Sequence, residues 1–212
     1  MPVNKPHSAT YHQKRQTSTL HFTIDGKETS QEFIMRGGIC WPMAIREGGR
    51  ERIEGYALVL GKNISSGAIT IFEETPFDCI DHITDAEGRI KYRGVSPWFN
   101  KAWTSYWCQK FYWRDRSETH EHYMRQIIRS TMINPNPQLP PVVWDEESEV
   151  TSIIGSLAMQ GKLTADKELG FLKQQKAHMT NPDQPSPARH AMICAMAGLD
   201  QYRWLRGEQD YD

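Results

Sequence analysis

At 212 residues with a formal net charge of −1, the chain is long enough for one sizeable core, or one core with a small appended subdomain, and carries no global basic field that would draw it to nucleic acid or anionic membrane. An apolar fraction of 38% against 24% charged residues is polar for a globular protein, yet too apolar and aromatic for a disordered one. The four cysteines, Cys40, Cys79, Cys108 and Cys194, form no CxxC pair, which argues against a local zinc knuckle or redox dithiol and predicts buried thiols in a reducing compartment.

The opening residues, through Gln16, lack the apolar core of a signal peptide, and no apolar run approaches the roughly 20 residues of a membrane helix. The expectation is a cytoplasmic protein with no membrane partner. Residues 1–18 are polar and without periodicity, and read as a flexible arm. Order is expected from Thr19, where Leu20, Phe22 and Ile24 alternate with polar neighbours at the period of a half-buried strand. Asp25-Gly26 is a hairpin-turn dipeptide, and Phe33 and Met35 mark the returning strand. Gly37-Gly38 and Gly48-Gly49 read as punctuation around Ile39-Cys40-Trp41. The run Tyr56-Ala57-Leu58-Val59-Leu60 is apolar at every position, as in a central strand covered on both sides. Asn63 to Gly67 supply a turn, Ala68 to Phe72 return, and Pro76 ends the strand.

The chain then turns helical. Ser96-Pro97 is a helix start, with the serine as cap and proline in the first turn. Phe99, Trp103, Tyr106, Trp107 and Phe111 recur every three or four residues and predict one continuous aromatic helix. A second helix follows Asp115 or Ser117, with Tyr123, Met124, Ile127 and Ile128 inward. Asn134 to Pro141 holds four prolines and cannot continue it. Beyond lie helices over about 147–160, 164–178 and 187–206, with Gly161 as a C-cap, Thr164 and Ser186 as N-caps, and a break at Gly198. The predicted fold is therefore α+β: a small antiparallel sheet packed on an aromatic-rich helix pair, followed by an all-helical C-terminal segment. Its divisions are a flexible arm (1–18), an α+β domain (19–133), a proline-rich connector (134–146), a helical segment (147–206) and a tail (207–212). The basic aromatic region and the acidic helical one can attract, which would make the connector a bend within one body.

Three stretches carry candidate chemistry. In the aromatic–basic helix, Trp98, Trp103, Trp107 and Trp113 interleave with Lys101, Lys110, Arg114 and Arg116. Aromatic faces that stack bases beside cations that neutralise phosphates are what single-stranded nucleic acid requires. The competing expectation is that the same aromatics pack on the sheet, with Lys110 and Trp113 on the more exposed side. Glu73, Asp78, Asp81 and His82 offer hard ligands for a hydrolytic metal, but their spacing matches neither an EF-hand loop nor HExxH, so no metal is favoured. His120 and His122 are two apart on a helix and point away from each other, which excludes a shared local site. No GxSxG elbow, phosphate loop or GxGxxG pattern is present, and no cofactor is expected.

The string from Ser152 to Gln175 joins two short apolar helices through a glycine turn, with Ile153, Ile154, Leu157, Leu163, Leu169 and Leu172 inward. It resembles the helix–turn–helix core of winged-helix DNA-binding domains, and is as close to short helical-hairpin interaction modules. The resemblance implies Lys167 and Lys173 as contacts to nucleic acid, although the acidic run from Asp145 to Glu149 would repel DNA on the same face.

The leading expectation is a non-enzymatic binding protein that associates with nucleic acid or a nucleoprotein assembly, using Lys101, Lys110, Trp113, Arg114, Arg116, Lys167 and Lys173. The alternatives are a protein–protein interaction or regulatory subunit, and a metal-dependent hydrolase or nuclease.

Overall fold

The structure, a computed structural model, describes residues 4–47, 50–79, 83–84, 86–92, 94–113, 122–123, 125–127, 147–165 and 186–199. Five strands run as an antiparallel meander: β1 (Ser8–His12), β2 (Thr17–Ile24), β3 (Lys27–Glu47), β4 (Arg50–Asn63) and β5 (Ile69–Phe77). Two short strands, β6 (Ile83–Thr84) and β7 (Ile90–Tyr92), form a separate ribbon. After helix α1 (Ser96–Tyr106), strand β8 (Phe111–Trp113) joins β3 in parallel. Helix α2 (Glu147–Met159) leads to β9 (Leu163–Thr164), parallel to β5, and helix α3 (Pro187–Ala197) closes the described chain.

This overturns the predicted small antiparallel sheet on a helix pair. The sheet is the body of the molecule: seven strands of mixed direction, strongly curled, with helices against both faces. Curling follows from the natural twist of long strands and from bulges at Cys40/Met43 and Val59/Leu60, each of which adds a bend. The C-terminal segment is not all-helical either, because β9 extends the sheet beside β5. Nor is the N-terminal arm loose over its length: Ser8–His12 pairs with β2, which begins at Thr17. The hydroxyls and imidazoles of this hairpin bond across the strands, with His12 and Thr19 2.8 Å apart.

The all-apolar run in β4 does what it predicts. Ala57 and Val59 point into a cluster with Leu20, Phe22, Trp98, Phe99 and Phe111, while Tyr56, Leu58 and Leu60 point into a second one with Ile69, Ala191, Met192 and Met196. Strand alternation thus divides one sheet between two cores. Asp25 (φ 51°) and Gly26 (φ 76°) form the expected hairpin turn, with both residues in the left-handed region.

Gly37-Gly38, read as punctuation, instead lies inside β3. Both glycines are closely covered: a Cβ on Gly37 would meet the ring of Phe111 on the neighbouring strand β8 at 2.3 Å, and one on Gly38 the Ala191 carbonyl of α3 at 1.9 Å. Strand β5 also runs through Pro76 to Phe77. Helix α1 starts at Ser96-Pro97 as expected, but Ser96 is not its side-chain cap; the cap position is Val95. Ser186 does cap α3, accepting from the Arg189 amide at 3.3 Å. Replacing Ser186 by Ala is expected to cost about 1 kcal/mol of stability in a denaturant titration. The connector 134–146 lies outside the described residues. Helices α2 and α3 both contribute to the second core, which also holds β4 and β5 side chains. Among the described residues, no helix is long and apolar enough to cross a membrane.

Candidate functional site: a cleft at a seam in the sheet

The predicted aromatic helix stops four residues before Lys110. Trp107 caps α1 in the left-handed conformation (φ 51°, ψ 37°), its amide bonding back to α1 carbonyls, and the chain turns to lay Phe111–Trp113 along β3. This changes what the basic residues border. One edge of β3 pairs with β2 as far as Phe33, then with β8 from Gly37 onward, leaving Ile34 to Arg36 between two partner strands. Lys110 spans the gap, its carbonyl accepting from the Gly37 amide at 2.9 Å and its ammonium donating to Gln16 Oε1 at 2.6 Å. The carbonyl of Met35, also in the gap, is taken by Arg36 Nη1 at 2.8 Å.

A shallow cleft with an enclosed volume of only about 10 Å³ opens to solvent at this seam, bordered by Tyr11, Gln16, Ser18, Met35, Arg36, Trp107, Gln109 and Lys110. Tyr11 and Trp107 stack at its side, with centroids 6.1 Å apart and planes 18° apart, and the indole donates to the Ala9 carbonyl at 3.1 Å. Arg36 is half-buried; its Nε donates at 2.8 Å to the Gly198 carbonyl at the end of α3, where helix carbonyls favour a cation. No described carboxylate pairs with it. Gln16 (φ 52°) and Trp107 are two of only three non-glycine residues with positive φ in the described chain, and both line the cleft. Such backbone strain concentrates where surrounding structure imposes a particular geometry.

Behind the cleft, Cys108 is fully buried, and burial pushes its thiol up to about 12, against the opposing effects of the Arg36 charge and a hydrogen bond to the Lys110 carbonyl. It is an inert thiol in that state. The described cleft lining offers aromatic faces, two cations, two side-chain amides and the hydroxyls of Tyr11 and Ser18.

The other sequence candidates fare differently. Trp113, expected on the exposed side, is buried against Trp41 with ring centroids 6.1 Å apart, because it belongs to a strand in the first core. Trp98 is buried as well. Lys101 is exposed but pairs with Glu73 at 2.7 Å, and neither residue lines the cleft. Glu73 also faces Lys5 at 3.7 Å and accepts from the Tyr106 hydroxyl at 3.2 Å, so this proposed metal ligand is engaged by two ammonium groups and a phenol. Asp78 is exposed. Among the described residues no three His, Cys, Asp or Glu side chains are grouped to hold a metal. Arg114, Arg116, Lys167, Lys173, Asp81, His82 and His120 lie outside the described residues. The predicted recognition helix does not begin at Leu163-Thr164, which form β9; a sheet edge at Ile69–Thr70 captures them.

Of the three predicted nucleic-acid contacts that are described, Lys101, Lys110 and Trp113, only Lys110 lines the cleft. Tyr11 and Gln16 from the β1–β2 hairpin, Arg36 from β3 and Gln109 from the turn after α1 carry no shared sequence signal, since only the folded sheet brings these three segments together. With this geometry in view, the chain matches no family model, no curated protein and no solved structure.

Proposed function

We propose that the protein is a non-enzymatic binding module that takes single-stranded nucleic acid, or a nucleoprotein end presenting it, at the seam cleft. The observation that carries this reading is the stacked Tyr11–Trp107 pair beside Lys110 and Arg36. It combines π-faces that accept any base with cations suited to phosphate. The cytoplasm is the compartment proposed, supported by the burial of Cys40, Cys108 and Cys194 as thiols.

Fluorescence anisotropy with labelled single-stranded DNA and RNA at low salt tests the reading. Affinity is expected to fall with salt, as phosphate contacts release counterions. Trp107→Ala is expected to weaken binding by about 5- to 150-fold, the equivalent of roughly 1–3 kcal/mol for a stacked base. Absence of binding at low salt, or unchanged affinity in Trp107→Ala, rejects it.

A further inference from the structure

A second constellation lies on the opposite side of β3 from the first core. Cys40 Sγ sits 3.7 Å from Met43 Sδ and 3.9 Å from His190 Nδ1. In an unbroken strand, residues 40 and 43 would face opposite sides of the sheet, because they are an odd number of positions apart. The bulge between Cys40 and Met43 removes that constraint and brings both sulfurs to one side, the kind of re-aiming for which bulges are used beside functional sites. His190 arrives from α3, whose Ser186 cap and packing against β3 and β4 fix its position.

We propose that Cys40, Met43 and His190 form a three-coordinate site for a soft monovalent cation, Cu(I). The dimensions suit it. With bonds of about 2.3 Å to sulfur and about 2.0 Å to imidazole nitrogen, a trigonal centre holds its two sulfurs about 4.0 Å apart and each sulfur about 3.7 Å from the nitrogen. The two ligand edges that meet at Cys40, 3.7 Å to Met43 and 3.9 Å to His190, need shifts of only a few tenths of an ångström to match, and closing the third, between Met43 and His190, is left to the side chains' rotation about the shared thiol.

Ligand chemistry selects the ion. A thioether is a soft, uncharged donor, suited to Cu(I) and poor for the hard divalent ions. Structural Zn²⁺ favours four ligands drawn from thiolate, imidazole and carboxylate, and this set has three, one of them a thioether. One thiolate also cancels one positive charge, so the complex with neutral imidazole is net neutral and suits a setting where Cys40 and Met43 adjoin the second hydrophobic core. Met43 and His190 are half-buried while Cys40 is nearly covered, which gives the ion a path in from the surface. The Trp41 carbonyl, 3.5 Å from the thiol, accepts its hydrogen bond in the apo state and is released when the proton leaves to solvent and the thiolate takes the metal.

The test is a titration of the full chain with Cu(I), anaerobically and under reduction, against the chromogenic chelator bicinchoninate. One equivalent is expected to be withheld from the chelator, with a rise in melting temperature. X-ray absorption should show two sulfurs and one nitrogen around copper. Cys40→Ser should abolish retention and the thermal shift. Met43→Leu conserves side-chain volume, so its fold should persist; it should lose at least tenfold in affinity and one sulfur from the copper shell. Copper surrendered wholly to the chelator by the parent chain overturns the proposal. So does an equivalent still retained by Cys40→Ser, which would assign the metal to the other thiols. If Cys40→Ser does not fold, Met43→Leu decides: unchanged affinity and sulfur count overturn the site.

Discussion

Gly38→Ala is expected to destabilise the protein by about 3 kcal/mol or more, the upper range for overpacking a core. The added methyl would lie 1.9 Å from the Ala191 carbonyl oxygen and 2.8 Å from the Ala195 amide nitrogen. Both are backbone atoms of α3, so no rotamer change relieves the clash. The helix must lift from β3, and with it Ala191, Met192 and Ala195 withdraw from the second core. Gly155→Ala provides the control of opposite sign. Gly155 is exposed in the middle of α2 with nothing within 4 Å of an added Cβ, so alanine should stabilise by about 1 kcal/mol through helix propensity alone. Urea titrations of both variants measure the difference. A midpoint for Gly38→Ala equal to the parent's would refute the close approach of α3 to β3.

That glycine pair also shows where sequence reading succeeds and fails. Asp25-Gly26 was legible because a tight turn is a local event, decided by which residues tolerate positive φ. Gly37-Gly38 carries the same local signal, but its cause is a ring of the neighbouring strand β8 on one residue and the backbone of α3 on the other, both from elsewhere in the chain, which no local pattern records. The run Tyr56 to Leu60 was legible because burial on both faces leaves every position apolar. Helix α2 matched its expected span within a residue, since its apolar spacing and the Gly161 turn lie within one window.

The aromatic helix failed for a definite reason. Phe111 keeps the helical spacing from Trp107, so periodicity alone extends the helix through it. A parallel pairing with Gly37–Ile39, some seventy residues earlier, captures Phe111–Trp113 instead, and the pairing requires Trp107 to adopt a conformation that favours glycine. β1 was missed because Thr10 and His12 are polar and its partner strand presents Thr19 and His21 on the same side, so the hairpin lacks an alternation strong enough to stand out. The cleft inherits both failures. It exists where β1–β2, the end of α1 and the start of β8 converge on β3, so three of its walls were read as arm or helix. The Cys40–Met43 pair was hidden differently: only a bulge brings its sulfurs together, and a bulge leaves no mark in spacing.

Stability is expected to fall steeply above about pH 9, and the cause lies in the same region. Burial raises the Cys108 thiol from its ordinary 9.0 to about 12. Burial, the Glu73 charge and a hydrogen bond to Glu73 together raise the Tyr106 phenol well above its ordinary 10.0. Both groups are neutral acids in the folded protein, and the unfolded chain loses their protons first. Fewer protons on the unfolded state means that each unit of pH above the unfolded value favours unfolding. The stabilisation is fully present below about pH 9 and is lost as pH climbs toward the folded values. For Cys108 the complete loss amounts to roughly 4 kcal/mol, at 1.36 kcal/mol per pH unit over three units. Tyr106 enters only above pH 10, so the two contributions separate. Between pH 9 and 10, the decline in urea midpoint should flatten in Cys108→Ala and persist in Tyr106→Phe. Above pH 10, where both groups contribute, Tyr106→Phe should make the decline shallower without abolishing it, since Cys108 still contributes there and Glu73 keeps Lys5 and Lys101 as partners when the phenol is gone. A parent chain as stable at pH 10.5 as at pH 8 would mean that neither group is shielded from water, and that the packing of α1 and β8 behind the cleft is looser than the burial of Cys108 requires.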